Sequence, residues 1–309
     1  MKAVQIDRYG SPEELQYRDI PEPLVAAGQL LVDVYAASAN PGEVKVRKGL
    51  RPEFLKSGFP HTMGRDFSGV VRGVGAGVTA FKPGDAVFGI LPLGVEGTAA
   101  ETIAVDAGIA GLKPAALSHV DAVAQALTGL TALYSMEDAG AVASGETVLI
   151  HGGAGGIGSY AVQYARHKGA RVITTASAHN HEYVKSLGAH EAIDYHNDDF
   201  TRIGPICDVV LDSIGGEVQR RSLSVLKPGG RLVIIAASTK DAEGVRPDIK
   251  ILRPIVERDR RHLERIAELA VSGAVKSPEI KRMKLSESAE AHRLLESGRL
   301  RGKIVFVVR

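Results

Sequence analysis

Cysteine is almost missing from these 309 residues. Only Cys207 is present, which excludes an intrachain disulfide and any cysteine-built metal centre. It sits in "PICDVVLDSIGG", where a free thiol reads as a small core hydrophobe. The ten histidines include no H-E-x-x-H, so no metal site is expected. Charge of one sign is also missing: 38 basic residues stand against 36 acidic ones, a net charge of +2. Nothing draws such a chain to nucleic acid or to a membrane surface, and neither is an expected partner. Apolar runs such as "RLVIIAAS" reach strand length and fall far short of a bilayer span. The start, "MKAVQIDRYGSPEEL", shows no signal-type apolar stretch, so a cytoplasmic protein is expected. Internal repeats and low-complexity tracts are lacking as well.

A 44% hydrophobic, 24% charged composition supports a substantial core, and the length suits two domains of ordinary size. Residues 1–118 carry short β-type runs ("KAVQI", "QLLVDVYAAS", "FSGVVRGVG", "DAVFGI") between Gly, Pro and Asp turns, which predicts an antiparallel barrel. From 119 to 257, wholly apolar strands ("TVLIHG", "ARVITTA", "CDVVLDSIG", "GGRLVIIA") alternate with helical patterns, which predicts a parallel sheet covered on both faces. Residues 258–309 end on "GKIVFVV", a strand that predicts a return of the chain to the first domain.

The densest local signal is "VLIHGGAGGIG", with five glycines among residues 152–158. Gly153, Gly155 and Gly158 form a G-x-G-x-x-G that follows a predicted strand and opens a predicted helix, the context that gives this pattern meaning. The first glycine allows the tight turn, the second lets a pyrophosphate approach, and the third lets helix and strand pack closely. Gly153, Ala154, Gly155, Gly156, Ile157 and Gly158 are therefore candidate dinucleotide contacts. An NAD site usually places Asp or Glu about 20 residues past this motif. Here "VITTASAHNH" has no acid between Val172 and His181, and offers Ser177, His179 and Asn180 instead. That composition accepts a 2′-phosphate and favours NADPH; Ser177 or Asn180 could equally cap the next helix.

With these residues in view, the chain resembles the zinc-independent medium-chain dehydrogenases/reductases, the quinone oxidoreductase (zeta-crystallin-like) family. The resemblance runs through "MKAVQIDRYGSPEELQ", "ANPGEVKVRKG", "PHTMGRDFSGVVRGVGAGVTAFKPGDAVFG", "VLIHGGAGGIGSYAVQYARHKGARVI", "LKPGGRLVII" and "ESGRLRGKIVFVV". It implies an α/β protein: a GroES-like antiparallel β-barrel domain (1–118 and 258–309) plus a Rossmann doubly wound parallel sheet domain (119–257), with the active site in the cleft between them. Zinc-dependent relatives carry a Cys near "SANPGE" and a His in their version of "GRDFSG". Asn40 and Arg65 stand in those places here. The resemblance then implies hydride transfer from NADPH to quinones or α,β-unsaturated carbonyls, without a metal.

It also implies roles for individual residues. Asn40 and Lys45 would line the reacting end beside the nicotinamide ribose, although Glu43 and Val44 replace the usual Asp and aromatic. Lys45 could equally be an ordinary surface lysine. Thr128 would lie near the nicotinamide, with helix capping or core packing as the competing reading, and Tyr195 near the adenine and 2′-phosphate. Ile214, Gly215, Ala236, Ala237, Ser238, Gly302 and Lys303 would border the cofactor, mostly through backbone. A homodimer through "IKILRPIV" follows from the same resemblance, although the sequence does not choose between monomer and dimer. Two other functions fit the same motifs: a non-enzymatic NADPH-binding protein (sensor, crystallin-like or RNA-binding) and an enoyl reductase.

Overall fold

The computed structural model describes residues 1–236 and 244–309; Ala237 and Ser238 lie outside the described residues. The chain divides into two compact units. One comprises Met1–Leu127, Arg258–Val271 and Ser277–Arg309, and the other Thr128–Glu257 and Ser272–Lys276.

The second unit is built on a six-stranded parallel sheet of β1 (Thr147–His151), β2 (Arg171–Ala176), β3 (Glu191–Asp194), β4 (Cys207–Asp212), β5 (Leu226–Ile234) and β6 (Lys250–Leu252). Its spatial order is β3-β2-β1-β4-β5-β6, the doubly wound arrangement. Val148, Leu149, Ile150, Val209, Val210 and Leu211 are fully buried, as strands covered on both faces must be. Cys207 is buried among Leu149, Ile173 and Val210, and burial pushes its thiol up to about 12, so it packs as a hydrophobe. Strand β5 starts earlier than its apolar run, at Leu226: Cys207 pairs with Leu226 and Val209 with Arg231, so the register shifts and the "KPGG" segment is bulged out between the two pairs.

The first unit contains a three-stranded and a seven-stranded sheet. Its long strand Gln29–Ala39 pairs antiparallel with Asp66–Val74, Thr102–Asp106 and the final strand Lys303–Val307, so the chain end does return to this unit. Two pairings fix the candidate residues here. Ala37 faces Phe67 and Ala39 faces Ile304, which brings Asn40, Asp66 and Lys303 to one end of the sheet. Among the described residues no helix is long and apolar enough to cross a membrane.

Candidate functional site

Strand β1 ends at His151, a buried imidazole in contact with Thr175 Oγ1 at 3.2 Å and Ser222 Oγ at 2.9 Å; burial pulls its pKa down to about 3, so it supports the following turn as a neutral group. The turn is tied to β2: Gly152 N–H donates to Thr175 Oγ1 at 3.2 Å and Gly153 N–H to Thr175 O at 3.1 Å. Helix Gly156–His167 follows, with Gly155 as its N-cap, and Ser159 N–H closes the first helical bond on Gly155 O at 2.8 Å. The amides of residues 156–158 precede that bond. They form the electropositive end of the helix, beside a half-exposed Gly155.

The glycines of this turn are glycine for different reasons. A Cβ on Gly153 would meet Thr174 Oγ1 at 2.0 Å, and one on Gly158 would meet Gly152 O at 2.1 Å, so internal packing requires both. Gly155 has φ −77°, open to any residue, and its Cβ would meet only Gly152 O at 3.4 Å, an ordinary contact. Nothing among the described residues demands glycine at 155.

Other candidates gather along the same carboxyl edge of the sheet. Parallel pairing of Ala176 with Asp194 sets Ser177 beside Tyr195. Ser177 is buried, His179 exposed, and Asn180 buried with its Nδ2 donating to Ser177 Oγ at 3.0 Å and its Oδ1 without a partner. Neither Ser177 nor Asn180 makes a side-chain cap bond to the helical segment that follows it. Tyr195 is 52% exposed, its ring tilted against His196. After β4, the N–H groups of Ile214 and Gly215 both donate to Asp212 Oδ1 at 2.9 Å, which fixes a turn that needs φ +86° at Gly215 and leaves Ile214 exposed. Ala236 follows β5 and lines a cavity of about 260 Å³ with Thr131, Ile235, Arg253 and Val256. Thr128 is buried in the middle of helix His119–Leu133, so it is not an N-cap.

The first unit holds a second cluster. Asn40 is the N-cap of helix Pro41–Arg47, yet its side chain caps nothing. Its Nδ2 donates to Glu43 Oε1 at 2.8 Å and Asp66 Oδ1 at 3.1 Å, and its Oδ1 accepts from Lys303 Nζ. Ser38 Oγ donates to the same Asp66 oxygen at 2.6 Å. All five residues are buried. Burial, helped by the neighbouring Asp66 carboxylate, pushes Glu43 up to about 8, and burial lowers the Lys303 ammonium against the pull of Asp66 and Glu43. Lys45 is not part of this cluster; it lies on the exposed face of its short helix. Gly302, at φ +70°, is glycine because a Cβ would strike Glu279 O at 1.9 Å.

Glu43, Asp66 and Ser38 escape a sequence reading aimed at cofactor residues. The available signals are a carboxylate three positions after Asn40 and charged residues set at the ends of apolar strands, in "RDFSGVV" and "GKIVFVV". Among the described residues, no group of three or more His, Cys, Asp or Glu side chains is placed to hold a metal ion.

Two protein-family models match the chain: an alcohol dehydrogenase GroES-like domain over residues 26–115 and a zinc-binding dehydrogenase over residues 187–306. A 2-methylene-furan-3-one reductase of Solanum lycopersicum is 34% identical over 319 aligned positions, covering 99% of this chain and 79% of that protein. The structure of the quinone oxidoreductase from Coxiella burnetii superposes with a TM-score of 0.94 at 36% identity, covering 100% of this chain and 99% of the other. The Escherichia coli quinone oxidoreductase complexed with NADPH superposes with a TM-score of 0.89 at 26% identity, covering 99% and 100%.

Proposed function

Since the chain belongs to the quinone oxidoreductase group of the medium-chain dehydrogenases/reductases, we propose that this oxidoreductase uses NADPH to reduce quinones or α,β-unsaturated carbonyls without zinc. The observation that carries the cofactor half is Gly155. It is a glycine that neither φ nor neighbouring atoms require, at the electropositive start of a helix, so its missing side chain leaves room for something outside the chain. The residues fit a dinucleotide phosphate. Amides 156–158 can bind pyrophosphate, the Tyr195 ring offers a face for adenine, and Ser177, His179 and Asn180 can receive a 2′-phosphate. The Escherichia coli relative crystallised with NADPH supports the same choice.

Bound NADPH would supply a hydride; the chain supplies position and polarity. Asn40 is committed to Glu43, Asp66 and Lys303, so its contribution is to hold the end of the sheet in place and not to bond a substrate. Lys45, exposed, is the one of the pair free to reach a ligand. Although one matching family model is described as zinc-binding, the amide of Asn40 and the guanidinium of Arg65 are not zinc ligands of the usual kind. As partner we propose a small-molecule acceptor. The edge position of β6 is consistent with a homodimer that extends the sheet. The test is NADPH oxidation by chelator-treated protein across quinones, enones, enoyl thioesters and simple aldehydes. Turnover of quinones or enones is expected. Tight NADPH binding with no acceptor reduced would favour a binding protein, and preference for enoyl thioesters an enoyl reductase.

A further inference from the structure

The segment after β2 carries imidazoles and no permanent cation. From Val172 to His181 there is neither Lys nor Arg, and the groups able to hold a positive charge are His179 and His181. A third imidazole, His196, follows β3, and the pairing of Ala176 with Asp194 sets the two segments side by side. His179 Nε2 lies 3.4 Å from Ser177 Oγ, His181 Nε2 lies 3.2 Å from Ala176 O, and the His196 ring centroid is 4.3 Å from that of Tyr195. A carbonyl oxygen only accepts, so His181 Nε2 carries a hydrogen and Nδ1 is the nitrogen left to take a proton. His179 and His196 are exposed and His181 is half-buried, so all three can meet protons from solvent.

Between them lies Asp194, which accepts from His196 N–H at 3.2 Å and Asn197 Nδ2 at 2.7 Å. Burial opposes its ionisation, yet those bonds and the charges of His196 and His181 hold its carboxyl below the usual range. Asp194 therefore counters one imidazolium, and a second leaves surplus positive charge at this edge of the sheet. The other ionisable groups around it are Glu182, Lys185 and Asp198, all exposed, and the half-buried Tyr183. Asp199 is engaged by Thr201 and Arg221, and His151 on the far side of β2 is kept neutral by burial.

We infer that His179, His181 and His196 make the choice of NADPH over NADH depend on pH, sharpening as the medium acidifies. This rests on the dinucleotide reading proposed above. A phosphate monoester keeps both charges down to about pH 6, whereas an ordinary imidazole gains its charge between pH 8 and 5. Between pH 8 and 6 the 2′-phosphate thus stays a dianion while the site facing it turns cationic. Charge-assisted bonds favour the protonated ring, so binding takes up a proton. The gain in affinity is present at pH 6 and is lost as pH rises toward 8. NADH carries a hydroxyl in place of that phosphate and gains nothing. Lysine or arginine in the same places would select NADPH without such a slope.

The test is calorimetric titration of NADP⁺ and NAD⁺, which survive mild acid, into the full chain at pH 6, 7 and 8 and low salt. Two buffers of different ionisation enthalpy count the protons taken up. The ratio of the two affinities cancels what pH does to the rest of the site. It should rise about tenfold from pH 8 to pH 6, with more proton uptake for NADP⁺ than for NAD⁺. The combined His179→Gln, His181→Gln and His196→Gln variant should lower the ratio and flatten its pH profile. His181→Lys should raise the ratio severalfold at pH 8, where the wild type is weakest, and keeps the test in force if the combined variant does not fold. Melting temperatures establish folding for each. A flat ratio in the wild type, or a slope that survives in the folded Gln variant, overturns this inference while NADP⁺ binding stands. Failure of both nucleotides to bind removes the dinucleotide reading and this inference with it.

Discussion

Gly155 and Asn40 hold equivalent places in their units, each the residue before a helix and neither capping the backbone of that helix through a side chain. Around Gly155 there is open space, ordinary backbone and unspent amides. Around Asn40 every polar group of the side chain is spoken for by buried Glu43, Asp66 and Lys303. The first position recognises something by what it leaves vacant. The second organises its surroundings by what it fills. An open backbone site is altered by adding atoms, whereas a closed side-chain network is altered by changing charge, and the two respond to different experiments.

The largest effect expected on the backbone side comes from Gly158→Val. Its Cβ would lie 2.1 Å from Gly152 O and 2.8 Å from Gly153 Cα, backbone atoms that cannot rotate away. Denaturant unfolding of the cofactor-free protein should show a loss of ~3 kcal/mol or more. Wild-type stability in this variant would break the division between packing and binding glycines.

On the network side, Glu43→Gln should change the pH dependence of stability. Burial raises the folded-state pKa of Glu43 from 4.5 to about 8, so between those values the native protein binds a proton that the unfolded chain releases. The contribution of Glu43 is therefore present at low pH and is lost as pH rises from 4.5 through 8. The variant keeps an acceptor for Asn40 and removes this slope. It should be the more stable protein above pH 8, by at most about 5 kcal/mol. Parallel pH profiles of melting would show that Glu43 is not held protonated.

A smaller effect concerns cofactor choice. With no carboxylate among residues 172–181, NADPH should bind at least tenfold more tightly than NADH, about 1.4 kcal/mol. Fluorescence titration of both cofactors measures this directly, and equal affinities would remove the argument from the missing acid.

The contrast between the two positions also explains what could be read from the chain itself. The glycine turn is contiguous, so its strand, turn and helix stand side by side in "VLIHGGAGGIGSYAV". The alternation of apolar strands with helices likewise carries the parallel sheet. Asn40 and Lys303 are 263 positions apart and meet only because Ala39 pairs with Ile304. No local pattern carries that pairing, so Lys303 was expected as a backbone neighbour of cofactor and not as a buried donor to Asn40. Resemblance named Lys45 alongside Asn40, but helical geometry separates them: residues 43, 44, 46 and 47 turn inward and Lys45 outward. Gly302 looked like a cofactor-edge glycine, and the close approach of Glu279 O is sufficient reason for it.

The vacancy at Gly155 is tested most directly by titrating NADPH into the wild type and Gly155→Val, with melting of both proteins measured free of cofactor. The variant should melt close to the wild type, since its Cβ meets only an ordinary contact and φ is negative. It should bind NADPH about a hundredfold more weakly, ~2.7 kcal/mol, because the side chain occupies the approach to the helix amides. A Gly155→Val protein that folds and binds NADPH as tightly as the wild type would contradict the account, since the turn would then be a structural feature and no dinucleotide site.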